Sequence, residues 1–172
     1  MIVCDILTCV GCRMCEVACA TARFGAVSPA LARIRVAKLE ETGIDFAVAC
    51  VACNEKPCLE CPGEALSVGA RGEILVAGES CNGCGECMDA CPIGAVGFHN
   101  GRPLFCDLCG GAPACVPACP SRALSFQENG HTISLQPFLT VQGSAGEKRA
   151  HFARARGKAM RAGWASGRRI DS

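Results

Sequence analysis

The run Cys81-Asn82-Gly83-Cys84-Gly85-Glu86-Cys87-Met88-Asp89-Ala90-Cys91-Pro92 decides how this chain folds. Three cysteines at two-residue gaps, a fourth after three more residues and a following proline form the ligand run typical of a [4Fe–4S] centre. Three sulfurs on one tight loop suit three corners of a cubane, and the fourth sulfur then serves a neighbouring cluster. The run therefore predicts an iron–sulfur site.

Three further cysteine quartets vary the same pattern. In chain order the four quartets are Cys9, Cys12, Cys15 and Cys19; Cys50, Cys53, Cys58 and Cys61; Cys81, Cys84, Cys87 and Cys91; and Cys106, Cys109, Cys115 and Cys119. Cysteine makes up 17 of the 172 residues, and only Cys4 stands outside the quartets. The quartets predict four [4Fe–4S] clusters, and we expect Cys4 to be a small buried hydrophobic residue.

Zinc and disulfides are the alternative uses of so many cysteines. Zinc sites usually pair one Cys-x2-Cys with a second pair at a distance, and the triplet Cys-x2-Cys-x2-Cys does not fit that arrangement. The odd number of cysteines and the lack of a secretory signal pattern argue against a disulfide framework. We therefore expect a reducing, cytoplasmic location. The sequence contains no run of 18 apolar residues, so we predict no insertion into a membrane.

An internal repeat follows three of the quartets. The segments 61–68, 91–98 and 119–126 share the pattern Cys-Pro-x-x-Ala-(Leu/Val)-x-(Val/Phe). Proline fixes φ and donates no hydrogen bond, so each copy predicts a tight turn that leads into a strand. Three copies tied to cysteine quartets indicate a modular fold.

Hydrophobic periodicity predicts the other elements. Strands are predicted at residues 1–7, 31–39, 44–48 and 73–76, a helix at 13–24, a linker at 142–146 and a second helix at 147–163. The strands at 31–39 and 44–48 are joined by Thr42-Gly43 and predict a hairpin.

Charge is unevenly distributed along the chain. Residues 145–172 contain eight basic and two acidic side chains, whereas residues 1–144 contain nine basic and fourteen acidic ones. The basic tail lacks interleaved aromatic residues and the acidic body would repel phosphates, so we predict no nucleic-acid binding. Two interpretations remain for the tail: a solvated helix, or a docking arm that lies on a partner or on another copy of this subunit.

With these motifs in hand, residues 1–135 resemble the four-cluster ferredoxin-like electron-transfer subunits of molybdenum or tungsten pterin oxidoreductases and of related hydrogenases and formate dehydrogenases. Within that family the layout is most similar to the small subunit of a tungsten-dependent aldehyde oxidoreductase. The resemblance implies a relay of single electrons to or from a large catalytic subunit, with further copies of the chain or a flavin or ferredoxin protein as additional partners. No nucleophile–base motif, P-loop or dinucleotide fingerprint predicts catalysis by this chain itself. A free-standing polyferredoxin carrier and a zinc-binding interaction module are the alternatives.

The resemblance also implies which cysteines share a cluster, because the family pairs its first quartet with its fourth and its second with its third. Carried over, this gives set 1 (Cys9, Cys12, Cys15, Cys119), set 2 (Cys106, Cys109, Cys115, Cys19), set 3 (Cys50, Cys53, Cys58, Cys91) and set 4 (Cys81, Cys84, Cys87, Cys61). Two departures from the family pattern are the two-residue gap before Cys61, where three is usual, and Ala20 in place of proline after Cys19.

The implied fold class is α+β, with two ferredoxin-like 2[4Fe–4S] units, one inserted in the other, and a helical tail. The outer unit takes residues 1–40 and 100–136, the inserted unit residues 41–99, and the basic C-terminal tail residues 137–172.

Overall fold

The fold is described by a computed structural model over residues 1–128 and 132–165, with side chains through residue 159. The strands are β1 (Ile2–Cys4), β2 (Ile34–Leu39), β3 (Ile44–Ala49), β4 (Leu66–Val68), β5 (Ile74–Val76), β6 (Gly97–His99), β7 (Arg102–Leu104) and β8 (Leu124–Phe126). The helices are α1 (Met14–Phe24), α2 (Glu86–Ala90) and α3 (Ala145–Ala165). The mixed α and β content agrees with the predicted class.

The strands pair into antiparallel two-stranded sheets: β1 with β8, β2 with β3, β4 with β5 and β6 with β7. Three of these sheets join strands that are close in sequence. The fourth places Ile2 opposite Phe126 and Cys4 opposite Leu124, so it joins the two ends of the cysteine-bearing region. Sheets of two short strands are marginal alone, and their stability here depends on what packs against them.

The Cys-Pro repeat adopts one turn in all three copies. The fourth residue of each copy has a positive φ, which is 48° at Glu64, 60° at Gly94 and 56° at Arg122. The N–H of that residue donates to the carbonyl of the copy's own cysteine, over 2.9, 3.2 and 3.1 Å respectively. The alanine that follows is buried in each copy, and β4, β6 or β8 then begins within two residues. The predicted turn and strand are thus confirmed three times.

The helix predicted at 13–24 and the hairpin predicted about Thr42-Gly43 are also confirmed. Helix α1 ends at Gly25, which has a φ of 64° and donates its N–H to the carbonyl of Thr21. Strands β2 and β3 pair from Ile34 opposite Ala49 to Leu39 opposite Ile44. The turn of this hairpin contains the boundary that the resemblance implies near residue 40.

Two predicted strands are too long. Strand β1 ends at Cys4 because Asp5 starts a turn: its carboxylate accepts the N–H of Leu7 at 2.8 Å and its carbonyl accepts the N–H of Cys9 at 3.0 Å. Residues 29–31 form a short 3-10 turn, so β2 begins only at Ile34. In both places a local turn that starts or ends beside the strand replaces extended chain.

Helix α3 begins inside the predicted linker, at Ala145. Ser144 and Glu147 form a capping box: the N–H of Ser144 donates to the Glu147 carboxylate at 2.7 Å, and the N–H of Glu147 donates to Oγ of Ser144 at 3.4 Å. The predicted linker is therefore wrong over its last two residues. Residues 166–172, which close the predicted tail, lie outside the described residues.

Residues 145–159 of α3 pack on the chain's own body. The ring of Phe152 meets Phe46 at 5.8 Å and Phe138 at 5.1 Å, both edge to face. Ala153 is fully buried, and the Arg154 guanidinium pairs with Glu41 at 2.6 Å. This part of the tail therefore docks within the chain instead of projecting from it.

No helix in residues 1–128 and 132–165 combines the length and hydropathy that crossing a bilayer requires.

Candidate metal centres

All seventeen cysteines lie in the described part of the chain, and all are free thiols. Within that part, no three histidine, cysteine, aspartate or glutamate side chains converge on a site for a single metal ion. A cubane differs from a single ion because it holds its thiolates apart, on separate corners. The question is therefore which cysteines surround a shared space.

The cysteines of set 3 line one apolar cavity. Cys50, Cys53 and Cys58 come from one loop, and Cys91 comes from the Cys-Pro turn before β6. Burial and, to a smaller extent, the charges of the other three cysteines raise the pKa of the Cys50 thiol to about 12. Four thiols from two distant segments are thus immediate neighbours in a water-poor space.

The cysteines of set 1 line a second cavity. Cys9, Cys12 and Cys15 come from the loop before α1 and from its first turn, and Cys119 comes from the Cys-Pro turn before β8. The pairing of β1 with β8 brings these two segments together. This cavity repeats the design of the first: three thiols from one loop and one from a distant Cys-Pro turn.

In each of sets 2 and 4, the cysteines whose charges raise the pKa of one buried member are the other three members of that set. Burial and then the charges of Cys106, Cys19 and Cys109 raise the pKa of Cys115 to about 12. Burial and then the charges of its three set-4 partners, Cys61 first, raise the pKa of Cys87 to about 11. The unusual gap before Cys61 therefore does not remove it from its neighbours.

These neighbourhoods fit a [4Fe–4S] cluster. Each offers four soft thiol ligands, and the two cavities have largely apolar walls. Backbone N–H groups are directed at some of the sulfurs: Arg33 donates to Cys19 at 3.2 Å and Ala95 donates to Cys91 at 3.3 Å. Because burial raises the pKa of Cys50, Cys115 and Cys87, iron must displace protons from these thiols when it binds.

The four sets adjoin one another in a single order. The charge of Cys115 in set 2 raises the pKa of Cys15 in set 1, after burial and Glu16. Between sets 2 and 3, the charge of Cys50 raises the pKa of Cys106 in the same way. Between sets 3 and 4, Cys87 adds to the raised pKa of Cys58, after burial and its set-3 partners. The neighbours therefore link set 1 to set 2, set 2 to set 3 and set 3 to set 4.

Both ends of this series reach the surface. Among the seventeen cysteines only Cys12, in set 1, and Cys84, in set 4, are exposed. The two ends differ in chemistry. Three apolar side chains within five residues of Cys12 are exposed, Leu7 by 47%, Val10 by 60% and Met14 by 45%, and the adjacent Arg13 is exposed as well. The exposed side chains near the set 4 cysteines include four carboxylates: Glu60, Glu64, Glu79 and Glu86.

Cys4 is buried, as predicted, but it also touches set 1. The N–H of Ala47 donates to its sulfur at 3.4 Å. A hydrogen bond from the Cys4 thiol lowers the pKa of Cys9 to about 6 and raises that of Cys4 itself. Cys4 therefore supports a cysteine of set 1 in addition to filling space.

Sequence reasoning missed Glu16, which is 3% exposed beside Cys15. Its Oε1 accepts the N–H of Val36 at 2.7 Å and so joins α1 to β2. The helical periodicity could have indicated this burial. Cys15 and Cys19 lie one turn apart on the buried face of α1, and Glu16 and Ala20, also one turn apart, lie beside them on the same face.

Comparisons with known proteins agree with this chemistry. The family model Fer4, described as a 4Fe-4S binding domain, matches residues 76–96. The "Aliphatic sulfonate oxidoreductase, polyferredoxin-like subunit" of Pyrococcus furiosus is 43% identical over 104 residues, which cover 58% of this chain and 60% of that protein. The "Putative electron transport protein YsaA" of Escherichia coli strain K12 is 40% identical over 119 residues, which cover 62% of this chain and 74% of that protein. Among solved structures, the complex BamBC of benzoyl coenzyme A reductase with zinc contains a chain that is 29% identical, with 80% of this chain and 83% of that chain covered and a TM-score of 0.47.

Proposed function

We propose that this chain, which belongs to the family of ferredoxin-like iron–sulfur electron-transfer proteins, is the non-catalytic relay subunit of a larger oxidoreductase. The chain itself would carry four [4Fe–4S] clusters. When bound, such clusters each take up and release one electron. The observation that carries the proposal is the series of four adjoining cysteine sets with one exposed cysteine at each end.

We assign one cluster to each of sets 1 to 4, with all sixteen cysteines as iron ligands. The two cysteine-lined cavities support sets 3 and 1, and the neighbours of Cys115 and Cys87 support sets 2 and 4. In this assignment the Cys-Pro turns supply the fourth ligand to sets 1, 3 and 4, and α1 supplies it to set 2.

The division into an outer and an inserted unit is part of the proposal. The outer unit, residues 1–40 and 100–136, would hold sets 1 and 2, and the β1–β8 pairing supports its closure. The inserted unit, residues 41–99, would hold sets 3 and 4. A second group of buried side chains, with Ile74 and Val96 packed beside Cys58 and Cys87, supports a separate core for it, completed by Phe105.

The two ends of the series suit two kinds of partner. Exposed apolar side chains at Cys12 favour a lasting interface with a large catalytic subunit, because removing them from water stabilises the complex. The exposed carboxylates near the set 4 cysteines in sequence favour brief docking of a one-electron carrier with a basic surface, such as a flavin or ferredoxin protein, because charge guides encounter. Electrons then pass between that carrier and the catalytic subunit, one for each carrier molecule.

The catalytic subunit is proposed to be a cytoplasmic tungsten or molybdenum pterin enzyme, with a tungsten-dependent aldehyde oxidoreductase as the specific candidate. The layout of the cysteine quartets supports this choice. The test is to purify the chain with its partners under anaerobic conditions and analyse the metals in the co-purified catalytic chain. A catalytic chain without tungsten or molybdenum would remove this narrower proposal and leave the relay intact.

The relay itself is tested on anaerobically purified chain by iron and sulfide analysis together with EPR spectroscopy of the reduced protein. We expect about sixteen irons per chain and the signals of interacting [4Fe–4S] centres. Folded, colourless protein with few irons would overturn the relay. A chain that carries its iron but never associates with a catalytic subunit would instead be a free-standing carrier.

A further inference from the structure

Helix α3 is hydrogen-bonded to the loop that carries Cys91. Nζ of Lys148 donates to the carbonyl of Asp89 at 2.5 Å, and a guanidinium nitrogen of Arg149 donates to the carbonyl of Gly94 at 2.6 Å. Two consecutive cations of the helix thus bind the backbone on both sides of Cys91. Lys148 is only 7% exposed, which is rare for lysine and shows that its charge is held against the loop.

The helix backbone makes the same contact. Gly94 has a φ of 60°, and a Cβ at that position would overlap the carbonyl oxygen of Ala145. Gly94 closes the Cys-Pro turn, because its N–H donates to the carbonyl of Cys91 at 3.2 Å. The next residue, Ala95, donates its N–H to the Cys91 sulfur. The first turns of α3 therefore rest directly on the turn that positions this sulfur.

The charges around this contact leave an excess of positive charge. Burial lowers the pKa of Arg149 and the neighbouring Arg35 lowers it further, whereas Glu16 and Cys91 raise it. Glu16 lines one cleft together with three arginines, which are Arg13, Arg35 and Arg149. One buried carboxylate thus shares the cleft with three guanidinium groups, and the Lys148 ammonium adds a fourth cation nearby.

We propose that Lys148 and Arg149 make α3 a tuning element for the cluster bound by set 3, holding positive charge at the Cys91 loop so that this cluster accepts an electron more readily. The proposal rests on the proposed function, since it takes Cys91 as an iron ligand. Uptake of one electron from the carrier adds one negative charge at set 3, and nearby cations stabilise that charge most strongly where water is excluded.

A reciprocal effect follows from linkage. If docked α3 favours the reduced state, reduction must favour docked α3 by the same free energy. We therefore expect α3 to detach from the body of the chain less often in the reduced protein than in the oxidised protein.

The first experiment compares Arg149→Gln with Lys158→Gln, which removes the same charge from an exposed position of the same helix. EPR-monitored redox titration of the purified complex should show one cluster with a reduction equilibrium about tenfold less favourable in Arg149→Gln, a shift of about 59 mV for one electron. Lys158→Gln should leave all four clusters near their original potentials, and Arg149→Lys should recover most of the loss. Equal shifts in both Gln variants, or none in a fully iron-loaded Arg149→Gln, would overturn the proposal.

The second experiment uses the unaltered complex and so remains valid if Arg149→Gln loses iron. Hydrogen exchange of α3 is measured under anaerobic conditions in the oxidised and the dithionite-reduced protein. We expect slower exchange over residues 145–159 after reduction, and equal exchange in the two states would contradict the proposal. Failure of the proposed function is distinguishable, because the unaltered protein would then lack iron.

Discussion

Asp107 binds Arg33 through an ion pair of 2.7 Å, which ties the loop after Cys106 to the residues before β2. The guanidinium of Arg23, at the end of α1, binds the same carboxylate oxygen. The other carboxylate oxygen accepts the N–H of Cys109 at 3.1 Å. One side chain therefore joins three segments that surround set 2, and the N–H of Arg33 reaches set 2 directly at the Cys19 sulfur.

Asp107→Asn should destabilise the protein, because it leaves two guanidinium groups facing an uncharged amide. The Arg33 side chain is 19% exposed, and its Nε is buried without a partner among the described residues, so it depends on this carboxylate. We expect a loss of about 1–3 kcal/mol in the free energy of unfolding, measured by anaerobic denaturant titration.

Glu41→Gln is the matched control for this loss. It breaks the exposed ion pair with Arg154, which water already screens, and it should change stability little. A comparable loss in the two variants would show that the contacts of Asp107 around set 2 have no special weight.

Gly94→Ala should weaken the docking of α3. The substitution places a Cβ at a φ of 60° and against the carbonyl oxygen of Ala145, so both the backbone conformation and the packing are disturbed. We expect the free energy of unfolding to fall by more than the roughly 1–2 kcal/mol that a left-handed conformation costs alone. Hydrogen exchange should locate the change in residues 145–159.

Arg122→Gly tests the same turn without the helix contact. Arg122 occupies the equivalent position of the last repeat copy, has a φ of 56° and is exposed. Glycine adopts that conformation without strain, so its effect on stability should lie within about 1 kcal/mol of zero or be favourable. If Gly94→Ala proved equally neutral, α3 would not be resting on the Cys91 turn.

What the sequence predicted correctly is what is decided locally. The Cys-Pro turns, helix α1 and the hairpin about Gly43 each depend on residues within a few positions of one another, and all three were found where the pattern indicated. The start of α3 is also local, since Ser144 and Glu147 are the S-x-x-E of a capping box, and the signal was missed because the surrounding glycines favoured a linker.

What could not be predicted depends on segments distant in sequence. Strands β1 and β8 have three residues each and lie more than 115 residues apart. Hydrophobic periodicity within such short strands does not predict that they pair. The burial of Lys148 likewise requires the carbonyl of Asp89, and nothing in the sequence around the lysine indicates it. The cysteine sets themselves were implied by family resemblance, because quartet spacing does not say which quartets meet.

Cys4→Ala should leave the iron content unchanged. Cys4 is 8% exposed in the core, and its sulfur receives the N–H of Ala47 and donates to Cys9, so the substitution removes a buried atom and two weak hydrogen bonds but no iron ligand. Cys9→Ala is the matched variant, since Cys9 belongs to set 1, and it should lower the iron content by up to about four per chain. Equal iron loss in the two variants would place Cys4 among the ligands.

Val10→Glu should weaken assembly with the catalytic subunit without loss of iron. Val10 is 60% exposed in the loop of Cys12, and a carboxylate there would lose its water in an apolar interface. We expect the affinity for the catalytic chain to fall at least tenfold, measured by titration of the purified catalytic chain or by its yield on an affinity-tagged variant. Val27→Glu alters a valine that is 74% exposed elsewhere on the surface and should leave assembly unchanged. Unchanged assembly in Val10→Glu, or equal weakening in both, would move the docking surface away from Cys12.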